Sequence, residues 1–269
     1  MKNRRDSQRP CNTVLYGSLF SGIGGFDLGF DRAGMRCAWQ VEIDPYCQRV
    51  LQKHWPEVPK HDDIRTFNPT PVDVVCGGFP CQDISEANGN PKGITGERSG
   101  LWSEYVRIIR DIRPRFVVVE NVPAITFRGM GTVVGELAES GYGCLWDCIP
   151  AAAVGAPHIR DRMFIIACRS TEVDSRAGNE RRLVADTKSN RQRTDKNDPQ
   201  RQTVQDIRAN IERSSDELAR RWRTHWHAEP ALGRVADGVS NRLDRLRGLG
   251  NAVVPQVAEW IGRRLIESV

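Results

Sequence analysis

The chain has 269 residues, 39% of them hydrophobic and 27% charged, which is the composition of a globular protein with a buried core. Its polar start lacks the apolar run of a signal peptide, and no stretch approaches the roughly 20 apolar residues of a membrane span. The net charge of +5 permits a polyanionic partner. Eight cysteines without a Cys-x-x-Cys pair argue against structural zinc and disulfides, so we expect a cytoplasmic protein without metal or membrane contact.

Strand-like and helix-like segments alternate through the first 168 residues. The predicted strands are Val14–Phe20, Cys37–Ile43, Val72–Cys76, Phe116–Val119, Gly141–Ile149 and Met163–Cys168. The predicted helices are Gly25–Ala33, Pro45–His54, Leu101–Ile112, Val133–Glu139 and, after a long interval, Val253–Ile266. This alternation predicts an α/β fold with a doubly wound, mostly parallel sheet.

The composition changes after residue 168. Residues 169–230 are rich in charge and poor in apolar side chains, so we expect a small irregular insert that is loop-rich or partly disordered. We therefore predict one main domain, 12–168 completed by 231–269, interrupted by the insert 169–230. The insert is interpreted as a solvated linker or as a working surface.

Cys81 is the thiol whose surroundings most favour chemistry. It follows the strand Val72–Cys76 within Gly78-Phe79-Pro80-Cys81-Gln82. A loop after a buried parallel strand lies at the carboxyl edge of the sheet, where open α/β folds bind ligands. A free cysteine is usually a small buried hydrophobe. The glycines before Cys81 and the proline beside it argue against ordinary packing, because they allow close approach to a ligand and stiffen the turn.

A glycine-rich loop, residues 18–26, links the first strand to the first helix. Its glycines allow a sharp turn, and the helix start offers free amides. Glu42 ends the second strand 20 residues after Gly22, at the place of an acid that accepts hydrogen bonds from a ribose. A nicotinamide dinucleotide and S-adenosylmethionine both fit, although Asp27 replaces the third glycine of the dinucleotide pattern.

Glu120 ends another apolar strand in Val117-Val118-Val119-Glu120-Asn121-Val122. In a parallel sheet it belongs at the same edge as Cys81. A solvated strand-terminal acid and a functional acid are both open interpretations of the residue by itself.

These segments together closely resemble the cytosine-C5 DNA methyltransferases. The matching segments occur in the order of that family: Phe20-Ser21-Gly22-Ile23-Gly24-Gly25, Glu42, Asp63-Ile64, Gly78-Phe79-Pro80-Cys81-Gln82, Arg98-Ser99-Gly100-Leu101, Glu120-Asn121-Val122, Arg160-x-Arg162 and Gly250-Asn251-Ala252-Val253. The resemblance covers residues 14–168 and about 242–268. It implies a Rossmann-like methyltransferase fold, with a target-recognition role for the insert.

The resemblance also implies catalytic roles. Cys81 would add as a thiolate to C6 of cytosine, so that C5 can attack the methyl group of S-adenosylmethionine. Glu120 would hold the base and protonate its N3. Arg160, Arg162 or both would steady the base and the activated thiol, pointing the same way if the chain is extended there. The implied substrate contacts are Pro80, Gln82 and Asn121.

The implied cofactor is S-adenosylmethionine. Phe20, Gly22 and Gly24 would shape its methionine and ribose site, and Glu42 would bind the ribose. The other implied contacts are Asp63 and Ile64 on the adenine, and Asn251 and Ala252 closing the pocket from far along the chain. The sequence departs from the family at His158, where Gln is usual before the two arginines.

Double-stranded DNA is the implied partner, and the target cytosine must leave the base stack to reach the thiol. Segments 176–193 and 220–223 carry arginines for phosphate contacts, while Trp222 and Trp226 stack on bases or anchor the insert. We expect a bacterial or phage-encoded monomer, with any cognate restriction endonuclease acting separately. The alternatives are an RNA (tRNA) cytosine-5 methyltransferase and a catalytically silent DNA-binding relative; a nicotinamide oxidoreductase fits least.

Overall fold

The computed structural model describes residues 13–80, 100–169 and 242–268. The strands are β1 (Leu15–Leu19), β2 (Arg36–Val41), β3 (Lys60–His61), β4 (Val74–Gly77), β5 (Phe116–Asn121), β6 (Tyr142–Pro150) and β7 (Asp161–Arg169). The helices are α1 (Gly25–Ala33), α2 (Pro45–His54), α3 (Gly100–Ile112), α4 (Ile125–Arg128), α5 (Met130–Glu139), α6 (Arg242–Asn251) and α7 (Pro255–Glu267), with a 3₁₀ turn at Ala151–Val154.

The strands form one sheet in the order β3-β2-β1-β4-β5-β7-β6. The strands from β3 to β5 pair in parallel, and β7 is antiparallel to both β5 and β6. The predicted doubly wound, mostly parallel sheet is therefore confirmed. The strand order reverses between β1 and β4, and the crevice at such a reversal is where open α/β sheets bind ligands.

Each face of the sheet carries its own apolar layer, because successive side chains of a strand point to opposite faces. On β5, Val117 and Val119 join the layer that contains Tyr105 and Ile109 of α3. The alternate residues Phe116 and Val118 join the layer that contains α1 and α7. This two-sided burial explains why β5 reads as a continuous apolar run in the sequence.

Helix α7 packs along α1, which brings the C-terminal segment onto the first βα unit. Close approach depends on Gly29, where a Cβ would meet the backbone of Pro255 and Glu259. The prediction that this helix begins at Val253 was wrong by two residues. It begins at Pro255, since proline fits the first helical position and the residue before it is held extended.

Four short or weakly patterned elements were not predicted: β3, α4, the 3₁₀ turn and α6. The described residues do not include Cys81, Gln82 or any of the insert except Arg169. The division of the chain into a main domain and an insert therefore stays a prediction. Across the described ranges, no helix is long and apolar enough to cross a membrane. Over the same ranges, no group of three or more His, Cys, Asp or Glu side chains is arranged to hold a metal ion.

Candidate active site at the carboxyl edge of the sheet

The loops that carry the predicted site residues meet at one edge of the sheet. Strands β1, β2, β4 and β5 run in parallel, so the segments after them emerge together. The antiparallel strand β7 begins at this same edge, where Met163 lies opposite Asn121. The topology therefore brings the glycine-rich loop, Glu42, the approach to Cys81, Glu120 and Arg162 to one side of the molecule.

The glycine-rich loop turns through three left-handed residues, Phe20, Gly22 and Gly24, with φ angles of 51°, 56° and 86°. The conformation suits the two glycines, but for Phe20 it costs about 1–3 kcal/mol and needs support from its surroundings. Ser21 supplies part of that support. Its backbone N–H donates to the carbonyl of Val41 at 3.0 Å, and its hydroxyl donates to that of Ser18 at 3.1 Å.

Glu42 lies against this loop and organises it. One carboxylate oxygen accepts a hydrogen bond from the backbone N–H of Gly22 at 2.7 Å, and the other accepts from that of Asp44 at 2.8 Å. Burial raises the pKa of Glu42, and the hydrogen bonds from Asp44 and Gly22 oppose that rise. Each carboxylate oxygen keeps a lone pair that can accept from a hydroxyl group.

Asp63 and Ile64 follow β3 in a short turn. Asp63 is half-buried and accepts from the backbone N–H of Arg65 at 3.0 Å. The Ile64 side chain is buried in the core, and its carbonyl accepts from Arg107 of α3 at 2.9 Å. The turn is thereby fixed to the helix that begins at Gly100.

Glu120 is 7% exposed, at the end of β5, and its carboxylate oxygen Oε1 lies 3.0 Å from Nε of Arg162. Burial raises the pKa of Glu120 to about 7, although the charges of Arg162 and Arg160 lower it. The carboxyl group also lies against Gly78, where an added Cβ would collide with Oε2. The glycine three residues before Cys81 therefore leaves room for the Glu120 carboxyl group.

Asn121 ties the end of β5 to the loop that leads to Cys81. Its side-chain amide donates to the carbonyl of Phe79 at 3.2 Å, and its side-chain oxygen accepts from the backbone N–H of Val122 at 2.9 Å. Asn121 is buried, and Pro80 is exposed at the last described position of that loop. The bond to Phe79 ties the last described residues before Cys81 to the end of β5.

The two arginines have different partners. Arg162 is paired with Glu120, whereas Arg160 donates from one guanidinium nitrogen to the carbonyls of Gly250 at 2.7 Å and Ala252 at 2.5 Å. Arg160 precedes β7 and has a left-handed φ of 37°, so the extended geometry on which a shared direction depended does not apply to it. Burial lowers the pKa of Arg160, as does the neighbouring charge of Arg162.

Asn251 and Ala252 do return to this edge from far along the chain. Asn251 is the last residue of α6 and is exposed, and Ala252 is half-buried. The next residue, Val253, lies so close to Gly25 that a Cβ on that glycine would collide with the Val253 backbone. Backbone-to-backbone packing thus joins the C-terminal segment to the start of α1.

A cleft of about 820 Å³ opens between α1, α2 and the junction of α6 with α7. It shares Gly24, Arg160 and Ala252 with the predicted site, and His158 also contributes to its wall. The cleft is not lined by Phe20, Glu42, Asp63 or Ile64, so it is not the whole of the predicted cofactor site.

Sequence reasoning missed two residues that support the glycine-rich loop. The ring of Trp55 packs against Gly24, and the fully buried Asp27 bonds to side chains of β1 and β2. Asp27 had a signal in the sequence, since a carboxylate stands among apolar residues directly after the glycines. Trp55 had none, because its contact joins residues 31 positions apart.

The strand order and its reversal between β1 and β4 place the fold in the doubly wound class. A structure of DNMT2 from Spodoptera frugiperda matches with a TM-score of 0.60 at 16% identity, covering 94% of this chain and 99% of that one, which is a likeness of fold. The model of C-5 cytosine-specific DNA methylases matches residues 15–232. The chain belongs to that family.

Curated relatives of the chain include bacterial type II methyltransferases. M2.BsuMI of Bacillus subtilis is 37% identical over 159 residues, which are 56% of this chain and 41% of the relative. M1.HphI of Haemophilus parahaemolyticus is 36% identical over 171 residues, 58% of this chain and 46% of the relative. The chain thus matches less than half the length of these two relatives.

Proposed function

We propose that the protein is a DNA (cytosine-5-)-methyltransferase of a bacterium or phage that acts in the cytoplasm on double-stranded DNA. One observation carries the proposal. The buried carboxyl group of Glu120, paired with Arg162, lies against Gly78 in the loop that leads to Cys81. An acid and a thiol at one edge of the sheet are what addition to a cytosine ring requires.

The residues at this edge suit S-adenosylmethionine. At Gly22 the left-handed turn leaves open space where a side chain would lie, and the anchored Glu42 keeps lone pairs for a ribose diol. S-adenosylmethionine, when bound, supplies an electrophilic methyl group. We assign Asp63, Ile64, Asn251 and Ala252 to the same site.

In the proposed mechanism the thiolate of Cys81 bonds to C6 of the flipped cytosine. The electron pair of the C5–C6 double bond would then be available at C5 for bond formation with the methyl carbon of S-adenosylmethionine, whose bond to sulfur would break and leave its electron pair on sulfur. Glu120 gives its proton to N3, which offsets the charge that develops on the ring, and Arg162 steadies the resulting carboxylate. A base finally removes the C5 proton, the N3 proton returns to the Glu120 carboxylate, and the electron pair of the broken C5–H bond restores the C5–C6 double bond as the thiolate leaves C6.

The contacts of Asn121 and Arg160 support a positioning role for each residue. Asn121 holds the carbonyl of Phe79, so we propose that it positions the loop of Cys81 in addition to any contact with the base. Arg160 holds the carbonyls of Gly250 and Ala252, so we propose that it joins the catalytic and cofactor sides. Pro80 and Gln82 remain proposed substrate contacts.

The proposal is tested by bisulfite sequencing of DNA from cells that lack cytosine methylation and express the full chain. Protected cytosines in one sequence context are expected, and they should disappear with the Cys81→Ser variant. Purified protein should transfer labelled methyl groups to duplex DNA and not to tRNA. Transfer to tRNA alone would replace DNA by RNA as the substrate, and no transfer to either would contradict the proposal.

Replacing Glu42 by alanine is expected to weaken S-adenosylmethionine binding by roughly ten- to a hundredfold. The variant loses the acceptor of the Gly22 and Asp44 amides as well as the proposed ribose contact, and hydrogen bonds to charged groups are the stronger ones. Calorimetry measures the effect, with the exposed Glu57→Ala as control. Wild-type affinity in Glu42→Ala would rule out the proposed role.

Replacing Arg160 by methionine is expected to lower the free energy of unfolding by about 1.5–3 kcal/mol, because two hydrogen bonds from a charged donor are lost. The affinity for S-adenosylmethionine should fall as well, since the carbonyls it holds flank Asn251. Denaturant titration with and without the cofactor measures both effects. The exposed Arg36→Met is the control, and equal behaviour of the two variants would count against the coupling.

A further inference from the structure

A cluster of four polar side chains is buried beneath the glycine-rich loop, and the proposed mechanism does not use it. Asp27, in the first turn of α1, has no exposed surface. Its carboxylate accepts hydrogen bonds from Gln40 at 2.8 Å, Ser18 at 3.1 Å and the thiol of Cys37 at 3.6 Å. We call Ser18, Asp27, Cys37 and Gln40 the Asp27 cluster.

The cluster joins the three elements that frame the loop. Ser18 lies on β1 two residues before Phe20, and Gln40 lies on β2 two residues before Glu42. Ser18 and Gln40 are paired in the register of β1 and β2, so both reach Asp27 from the same level of the sheet. One carboxylate therefore connects α1 to both strands just below the predicted cofactor contacts.

The cost of burying this carboxylate argues for a role beyond packing. Isolated burial of an ion costs several kcal/mol, and replacement of buried ionic groups by apolar residues is often neutral or stabilising. Burial raises the pKa of Asp27 to about 6, and the hydrogen bonds from Gln40 and Ser18 oppose that rise. The position at the N-terminus of α1 also favours negative charge.

The loop above the cluster needs a rigid support. Phe20 is held in a left-handed conformation that its side chain disfavours, and such strain persists only where neighbouring structure fixes it. Ser21 holds the loop from within, through the carbonyls of Ser18 and Val41. Those carbonyls belong to the two strands that Asp27 joins.

We propose that Asp27 is a positioning residue for the cofactor, which ties β1, β2 and α1 together so that the loop at Phe20–Gly24 is preformed for S-adenosylmethionine. The inference rests on the proposed function, because that function supplies the ligand. Asp27 acts through Ser18 and Gln40 and touches neither the cofactor nor the base.

Asp27→Asn tests the idea with little change of shape. Within the described part of the chain, the side-chain oxygen of Gln40 is buried without a hydrogen-bond partner. A rotated Gln40 amide can use that oxygen to accept from the new amide, so the variant is expected to fold. The variant loses the negative charge of Asp27. Asparagine then offers one side-chain oxygen, instead of two, to the donors Ser18 and Cys37.

The expected result is an increase of about tenfold in the dissociation constant for S-adenosylmethionine and in its KM, with kcat within about twofold of wild type. Ser18→Ala, which removes the hydroxyl that donates from β1 to Asp27, should show a smaller shift in the same direction. Asp73→Asn is the matched control. Asp73 also bonds to β1, through the backbone N–H of Leu15, but at the opposite edge of the sheet.

Calorimetry and steady-state methylation with the full chain separate the outcomes. If wild type binds S-adenosylmethionine and both Asp27→Asn and Ser18→Ala bind it equally well, the positioning role is overturned and the proposed function stands. If the wild-type protein itself does not bind S-adenosylmethionine, the proposed function is contradicted, and the positioning role is overturned with it. If Asp27→Asn does not fold, Ser18→Ala decides: a raised KM with unchanged kcat supports the role, and wild-type values overturn it.

Discussion

Replacing Cys81 by serine is expected to abolish methyl transfer, by at least about a thousandfold, while S-adenosylmethionine binding stays near that of wild type. A serine hydroxyl is almost never ionised near neutral pH, whereas a thiolate is accessible and strongly nucleophilic. Residues 78–80, which lead to position 81, contact Asn121 and Glu120, and neither contact involves the thiol. The loss should therefore be chemical.

Labelled methyl transfer to duplex DNA measures the rate, and calorimetry measures the cofactor affinity. A duplex with 5-fluorocytosine at the target should be trapped covalently by wild type and not by the serine variant, because fluorine blocks the final elimination. Cys168→Ser is the control, since Cys168 is a half-buried thiol at the opposite end of β7. Undiminished turnover in Cys81→Ser would exclude the nucleophile.

Replacing Glu120 by glutamine is expected to lower the methylation rate by about 10²–10⁴-fold, the range for loss of a positioned general acid. Glutamine keeps the shape beside Gly78 but cannot give a proton to N3, and it removes the ion pair of Arg162. Since Glu139 is exposed on α5, Glu139→Gln serves as the control and should retain the wild-type rate.

The pH dependence gives Glu120 a second signature. Its pKa is raised to about 7, so the carboxyl group is mostly protonated below that pH and mostly ionised above it. Only the protonated form can donate, so the wild-type rate should fall as pH rises through about 7. The glutamine variant should lack this decline. A decline that persists unchanged in Glu120→Gln would assign it to another group.

The sequence predicted the features that depend on local patterns. Apolar runs located β1, β4 and β5. The spacing of Gly22 and Glu42 predicted a shared cofactor site, which stays a prediction, whereas the hydrogen bond between the two residues was not foreseen. The start of α7 was misplaced although Pro255 marked it, since the apolar pattern begins earlier. β3 has only two residues, and its strand character comes from pairing with β2, which no local pattern records.

Side-chain partners were the least predictable part of the site. Arg160 and Arg162 look equivalent in the sequence, but one meets carbonyls some 90 positions away and the other meets Glu120. The two side chains have different partners because Arg160 has a left-handed backbone conformation. A local sequence pattern does not predict that conformation for a residue other than glycine. The burial of Asp27 likewise depends on donors contributed by two other elements.

The contact of Gly25 with Val253 has a consequence for the order of synthesis. The N-terminal glycine-rich loop emerges from the ribosome long before residues 250–255, yet its flank is completed only by the backbone of that late segment and by the carbonyls that Arg160 holds. A nascent chain that has reached β7 has the seven strands of the described sheet but not this wall. This wall beside the glycine-rich loop is thus completed late in the synthesis of the chain.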